Sequence, residues 1–501
     1  MPASLGALPP EIINQIISNI EKSGWLLDLA LACRSLYKLT VPYPYSDVKL
    51  IYHRHETRFP YLRSFSIHVL NHPGLASHVR SFTLGECWGT SSDPSKAEDS
   101  DSVDDAVRAV VRKISQCSEE EEVWIDDLKT GGDEDAYLCL LLPSLPNLER
   151  MDLFVPENPE VSIFKIIMDR ILSREKPFDL EPAFSSLRVI VNNCSADKYG
   201  EPPDLISSFL KLPSLQEYYC LRIGSGNRMI NEGLTQLKTA SSSLTHLEVR
   251  ECKFNARDLR NLLRAMQNLR TFVYELGWSY VSSCVYSTPG LRRALAWTEA
   301  SLENLWLDYL PGPSYWTGDF LDDHSPMFSL SSFECLKNIK VGMYVFFGVV
   351  DVYSSGLENT EVDIGDGNNI INLANILPAS AETLYVSHTN GRIRLLTQAL
   401  ERLLEQKGSS TPRLMRIAFE AYITGNDEKF DFSRLDPLGE EANVRIDRID
   451  GTALPANNGV GWECSSGVHD RGQGMDGSLK WAAEVAIVRK SGVPVYINAG
   501  K

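Results

Sequence analysis

"SLTHLEVREC", Ser243 to Cys252, sets Leu244, Leu247, Val249 and Cys252 in the spacing L-x-x-L-x-L-x-x-C. The x-L-x-L core alternates, so Leu247 and Val249 point to one side of a short strand and Glu248 to the other. "HVRSFTLGEC" repeats the spacing at Val79, Phe82, Leu84 and Cys87. Looser copies of its first part follow at Leu148/Met151/Leu153, Leu215/Tyr218/Cys220, Leu269/Phe272/Tyr274, Leu302/Leu305/Leu307, Leu336/Ile339/Val341 and Leu414/Ile417/Phe419, with weaker candidates starting at Glu120, Leu187 and Ala381. Most steps between anchors are about 25 to 40 residues, longer and less even than the ~20–29 of a regular leucine-rich repeat.

The reading is therefore an irregular leucine-rich repeat with inserted loops. Between the strands, "RDLRNLLRAMQN" and "LLTQALERLLEQKG" have helical periodicity, the latter expected to stop at Gly408. Stacked strand–helix units give an α/β solenoid, a horseshoe with a parallel concave sheet and helices outside. Cys87 and Cys252 sit at inward repeat positions and read as core. The expected division is an all-α module over 1–50, a linker or repeat cap over 51–75, the solenoid over 76–436 and an irregular segment over 437–501. The small, acidic stretch 89–105 reads as a surface loop. From Pro437 to Ser478 the repeat is lost, and "LKWAAEVAIVRKSGVPVYI" reads as a terminal cap.

The residue between the last two apolar positions of each repeat should face away from the helices. That column reads Thr83, Trp124, Asp152, Val191, Tyr219, Glu248, Val273, Trp306, Lys340, Tyr385 and Ala418. Exposed aromatic residues are favoured binding anchors, so Trp124, Tyr219, Glu248, Trp306, Lys340 and Tyr385 are the expected contacts for a protein target whose identity the sequence does not give.

The chain has 501 residues, 43% of them hydrophobic, enough for a large core. Its net charge of -17 opposes phosphate backbones and anionic lipid at long range, arguing against nucleic acid and membrane as partners. No apolar run approaches the roughly 20 residues of a membrane helix. No secretory signal is apparent, and 10 scattered cysteines without a C-x-x-C pair fit reduced thiols in the cytoplasm or nucleus. Phosphate-loop, zinc-protease and nucleophile-elbow motifs are all missing. The imidazoles of "HRH", His53 and His55, have no third ligand nearby; "DIGDGNNI" is a lone G-x-G; the carboxylates of "EEEEVW", Glu119 to Trp124, form a solvated face. No catalytic residue, metal or cofactor is expected.

At the start, "LGALPPEIINQIISNI" places Leu8, Ile12, Ile16 and Ile20 four apart, with Ile13 and Ile17 beside them. Pro9 and Pro10 suit a helix's first turn, Glu11 complements its dipole, and Gly24 should end the segment. Leu26, Leu29, Ala30, Cys33, Leu36 and Tyr37 then form a second stripe that ends at Thr40-Val41-Pro42. So few residues cannot bury both faces of such helices, so apolar surface should remain. This stretch resembles the F-box: Leu8, Pro9 and Glu11 match its L-P-x-E opening, Ile12, Ile16 and Ile20 its first apolar row, and Leu29, Leu31, Cys33, Arg34, Leu36 and Tyr37 its C-R core. Pro10 in the variable position and the short "EKSGW" link depart from the pattern. The repeats behind it are similar to those of F-box proteins with leucine-rich repeats, with a fungal look to their uneven spacing. The resemblance implies docking on the Skp adaptor of a cullin-based (SCF) ubiquitin ligase through those twelve residues, with the repeats holding the target and no catalysis by the chain itself. A non-catalytic repeat scaffold that directs no ubiquitination is the alternative.

Overall fold

The computed structural model describes residues 8–20, 23–50, 60–85, 103–129, 134–154, 162–193, 204–224, 232–276, 286–309, 321–323, 329–347, 371–387, 393–421 and 434–450. It begins with four short helices, α1 (Pro10–Ser18), α2 (Ser23–Ala32), α3 (Arg34–Thr40) and α4 (Pro42–Ser46). The strands that follow are β1 (Asp47–Leu50), β2 (Ser81–Leu84), β3 (Arg150–Phe154), β4 (Val189–Asn193), β5 (Glu217–Leu221), β6 (His246–Cys252), β7 (Thr271–Leu276), β8 (Tyr286–Ser287), β9 (Asn304–Tyr309), β10 (Leu321–Asp323), β11 (Asn338–Gly342), β12 (Thr383–Ser387), β13 (Arg416–Ala421) and β14 (Arg445–Asp450). Twelve of them form one open, all-parallel sheet in chain order, while β8 and β10 pair separately. Helices alternate with the strands, so the chain is an α/β solenoid of the leucine-rich-repeat kind. Among the described residues no helix is long and apolar enough to cross a membrane.

The repeat residues make the core as their spacing demands. Phe82, Met151, Ile190, Tyr218, Leu247, Phe272, Leu305, Ile339, Leu384, Ile417 and Ile446 form one row across the paired strands. All are buried except Ile446, which is partly buried. Cys252 is fully enclosed among them; Cys87 lies outside the described residues. Outside the sheet, helices stack on their successors from Glu134–Leu141 to Thr288–Leu295, and again from Leu373–Ile376 to Leu435–Glu441.

Two polar devices hold neighbouring repeats together. A serine immediately before the first apolar residue of a repeat reaches the carbonyl of the equivalent leucine one repeat earlier: Ser214 to Leu187 at 2.8 Å, Ser243 to Leu215 at 2.8 Å, Ser301 to Leu269 at 2.9 Å and Ser380 to Leu336 at 2.9 Å. These bonds satisfy carbonyls where the chain turns into the strand. The second is a side-chain ladder: Asn304 donates to Thr271 Oγ1 (3.0 Å), Asn338 to Asn304 Oδ1 (2.7 Å) and Thr383 to Asn338 Oδ1 (2.6 Å). A buried carboxylate acts similarly on the helix side. Asp135 accepts from Ser162 Oγ (2.9 Å) and from the first backbone N–H groups of helix Ile163–Ser173, Ile163 (2.6 Å) and Phe164 (3.2 Å). Those donors have no partner within their own helix.

Several expectations are corrected. The candidate at Glu120 is no strand: Ser118–Lys129 is a helix burying Trp124, Ile125 and Leu128, at i, i+1 and i+4. Trp124 is thus absent from the sheet. Gly408 does not stop its helix, which continues to Ser410, and Gly24 lies in the first turn of α2 while α1 ends at Ser18. The second apolar stripe is two helices, α2 and α3, broken at Cys33. The sheet extends past both expected limits. Asp47–Leu50 is its first strand, and helix Leu435–Glu441 with β14 adds one more repeat inside the segment read as irregular. Between β1 and β2, Leu62 and Val69 of helix Pro60–Asn71 belong to the main core. His53, His55, the G-x-G of "DIGDGNNI", most of the acidic stretch and the proposed terminal cap lie outside the described residues.

Candidate protein-interaction surfaces

The N-terminal helices own a core separate from that of the repeats. Ile13 and Ile17 of α1 close on Leu26 and Leu36, with Leu8, Ile20, Leu29, Leu39 and Tyr43 packed around them. Tyr43 donates its hydroxyl to Asn14 O at 3.1 Å, tying α4 to α1. Because a helix turns 100° per residue, filling the inside with Ile13 and Ile17 turns Ile12 and Ile16 outward. They are 43% and 39% exposed. Trp25 (58%), Leu31 (74%) and Tyr37 (52%) are exposed on α2 and α3, so the described residues up to Ser46 hold five of the ten large exposed hydrophobics of the described chain. Pro9, Glu11, Cys33 and Arg34 are exposed as well. Leu36 is interior and Leu8, Ile20 and Leu29 half-buried, so these four of the twelve expected contacts mainly build the module.

The column on the other side of the sheet exists in register, with Trp124 removed and one residue added at each end: Lys49, Thr83, Asp152, Val191, Tyr219, Glu248, Val273, Trp306, Lys340, Tyr385, Ala418 and Asp447. None belongs to the apolar cluster between sheet and helices. It is not the solvent-facing row its position leads one to expect. Trp306 is 6% exposed and Tyr385 fully buried; only Tyr219 of its aromatics is half-buried. Side chains at one strand spacing cover one another. Lys340 Nζ lies 3.8 Å from the Trp306 ring centre and 4.9 Å from that of Tyr385, and the Arg250 guanidinium lies 4.4 Å from Trp306.

Charge is paired along this face. Arg250 bridges Glu248 and, at 3.1 Å, Glu275. Burial works against the Glu248 charge, but Arg250 and His246 outweigh it and hold the carboxyl at about 2. The guanidinium is itself pushed up by its two carboxylates against the same burial. His246 Nε2 is 3.5 Å from Glu248, and its ring lies tilted, centres 4.9 Å apart, against that of Tyr219, whose hydroxyl donates to Glu217 at 2.9 Å. Burial and Glu217 push that phenol up. Asp308 accepts from Trp306 Nε1 (3.2 Å) and Ser387 (3.1 Å) and lies 3.6 Å from Lys340. Asp152 differs: burial pushes its carboxyl up to about 6, with Arg150 and Lys49 only partly offsetting it.

The column was legible; its partners Arg250, Glu275 and Asp308 were missed, although the same alternation two residues along each strand names them. Among the described residues no group of three or more His, Cys, Asp or Glu is arranged to hold a metal. The surfaces suit recognition of protein by apolar and charged contacts. No family model matches the chain, and no curated protein matches it.

Proposed function

We propose that the chain is the substrate-recognition subunit of an SCF-type ubiquitin ligase, its N-terminal helices docking on the Skp adaptor and its repeats holding a protein target beside the cullin-bound machinery. The observation that carries this reading is the outward row Ile12, Ile16, Trp25, Leu31 and Tyr37, surplus to a core that Ile13, Ile17, Leu26 and Leu36 already complete. The L-P-x-E opening joined to the Cys33-Arg34 core supports it. The chain performs no chemistry; it raises the local concentration of target lysines near a charged conjugating enzyme.

Adaptor pull-down tests the reading. A charge left unpaired in such an interface costs several kcal/mol, so Ile16→Asp should abolish capture while circular dichroism stays unchanged. Ile17→Asp, aimed into the small core, should instead unfold the N-terminal helices. Capture retained by a folded Ile16→Asp protein refutes the assignment. The enclosed sheet face favours one alternative, a repeat scaffold without a ubiquitination target; ubiquitination of a co-purified protein separates the two.

A further inference from the structure

Several cations on the helix side of the solenoid are paired. Arg112 meets Glu121 at 3.3 Å, Lys113 meets Glu181 at 2.5 Å, Lys165 meets Asp169 at 3.0 Å and Arg170 meets Glu120 at 2.7 Å. Helices Ala256–Arg264 and Thr288–Leu295, which pack against each other, gather arginines without such partners. Arg257, Arg260 and Arg293 are exposed, and none forms an ion pair with a described residue. Arg264 is half-buried; it gives one N–H to Leu237 O at 3.1 Å and meets no carboxylate among the described residues. Asp258, the one acid on the two helices, is fully buried beside Asn255. Arg292 is already held by Glu299 at 2.7 Å.

An indole completes this patch. Trp297 follows Arg293 by four residues, in the single turn Ala296–Thr298, and is 37% exposed; that turn packs on helix Ala256–Arg264. A net charge of -17 makes four neighbouring arginines, none ion-paired to a described residue, a marked local departure. Arginine and tryptophan are the residue types that most often dominate binding energy.

We propose that the ridge of Arg257, Arg260, Arg264, Arg293 and Trp297 docks an extended acidic segment of a partner protein. Arg257, Arg260 and Arg264 lie at i, i+3 and i+7, on one face over about 10 Å. Carboxylates on alternate residues of an extended chain recur every ~6.8 Å, which flexible arginine side chains can follow, each carboxylate meeting a planar fork. Trp297 at the ridge's end takes an apolar side chain of the same segment. Protein is favoured over nucleic acid because the chain's net negative charge repels a long polyanion far more than a segment with a few carboxylates. The ridge shares no residue with the adaptor-docking helices or the sheet column and stands independently of the function proposed above.

The test is fluorescence anisotropy with the full chain and a short fluorescein-labelled peptide that alternates aspartate with serine and ends in phenylalanine. The same peptide with asparagine for aspartate, and a single-stranded DNA of equal charge, are the comparison probes. Saturable binding of the acidic peptide alone is expected, weakened about tenfold by Arg257→Glu combined with Arg260→Glu, and several-fold by Trp297→Ala. Circular dichroism should be unchanged; Arg293→Gln provides a second, milder probe should the double variant misfold. Equal binding of the asparagine peptide, binding of DNA instead, wild-type affinity in the arginine variants or no saturable binding would each overturn the proposal.

Discussion

Replacing Asp152 by asparagine should stabilise this protein above neutral pH, although it removes a charge that lies 3.9 Å from an arginine. The carboxyl sits in the sheet column, 6% exposed. Burial lifts its pKa from the ordinary 3.8 to about 6, Arg150 and Lys49 failing to compensate and Asp47 adding to the rise. A carboxyl whose folded pKa exceeds its unfolded one favours folding while protonated. That contribution is complete below about 3.8 and is lost as pH rises through about 6. Above that window, about two pKa units at 1.36 kcal/mol each amount to roughly 3 kcal/mol. Asparagine has the same shape and no charge to desolvate. Relative to wild type, Asp152→Asn should therefore gain up to ~3 kcal/mol at pH 8 and only about 1 kcal/mol at pH 4.5. Urea unfolding of both proteins at the two pH values measures this. A loss of stability at pH 8 would show that the pairing with Arg150 and Lys49 outweighs desolvation, and a gain independent of pH would show that the buried charge is not its source; either would refute the reasoning.

Trp306→Ala should cost about 3–5 kcal/mol of stability, read by chemical denaturation, because the indole is enclosed beneath Lys340 and Arg250 and bonded to Asp308. Loss of target capture in that variant with undiminished stability would instead restore it as a surface contact. Asp135→Ala strips the acceptor from Ile163 N–H and Ser162 Oγ, leaving Phe164 N–H with Ser162 Oγ alone, and should cost ~1–3 kcal/mol, the range for a buried donor left unsatisfied; hydrogen exchange should accelerate first at the start of helix Ile163–Ser173.

The strand rows were readable because period-2 alternation is a local property. Leu247 and Glu248 must point to opposite faces whatever surrounds them, and the same rule at Ile190 and Val191 or Leu384 and Tyr385 gave the register across the sheet. Trp124 misled because the stretch from Glu120 to Leu128 places apolar residues where a strand or a helix could use them. Four consecutive glutamates, poor strand formers that favour a helix start, were the arbiter. Gly408 meets nothing within 4 Å of where a side chain would begin, so a helix that packs through Leu400, Leu403 and Leu404 simply carries it along. Exposure was the least legible property. Whether Trp306 faces water depends on Lys340 and Arg250, whose approach is set by three strands together and by no single repeat. In the N-terminal module the stripe was plain, but which isoleucines faced in was decided only by the placement of α2 and α3.

Helix α4 ends at Ser46 and β1 starts at Asp47, with no linker between them. Arg80 N–H bonds Ser46 O at 3.1 Å, and Tyr45 meets His68 of the following helix. The helices are thereby spliced onto the first rung of a sheet whose twelve strands lie ~4.8 Å apart, a run of roughly 50 Å. A partner that gripped Ile12 and Ile16 would hold the far rungs by a ruler rather than a leash: removing one repeat would shift everything beyond it by a single rung, whereas inserting a flexible spacer after Ser46 would erase the calibration altogether.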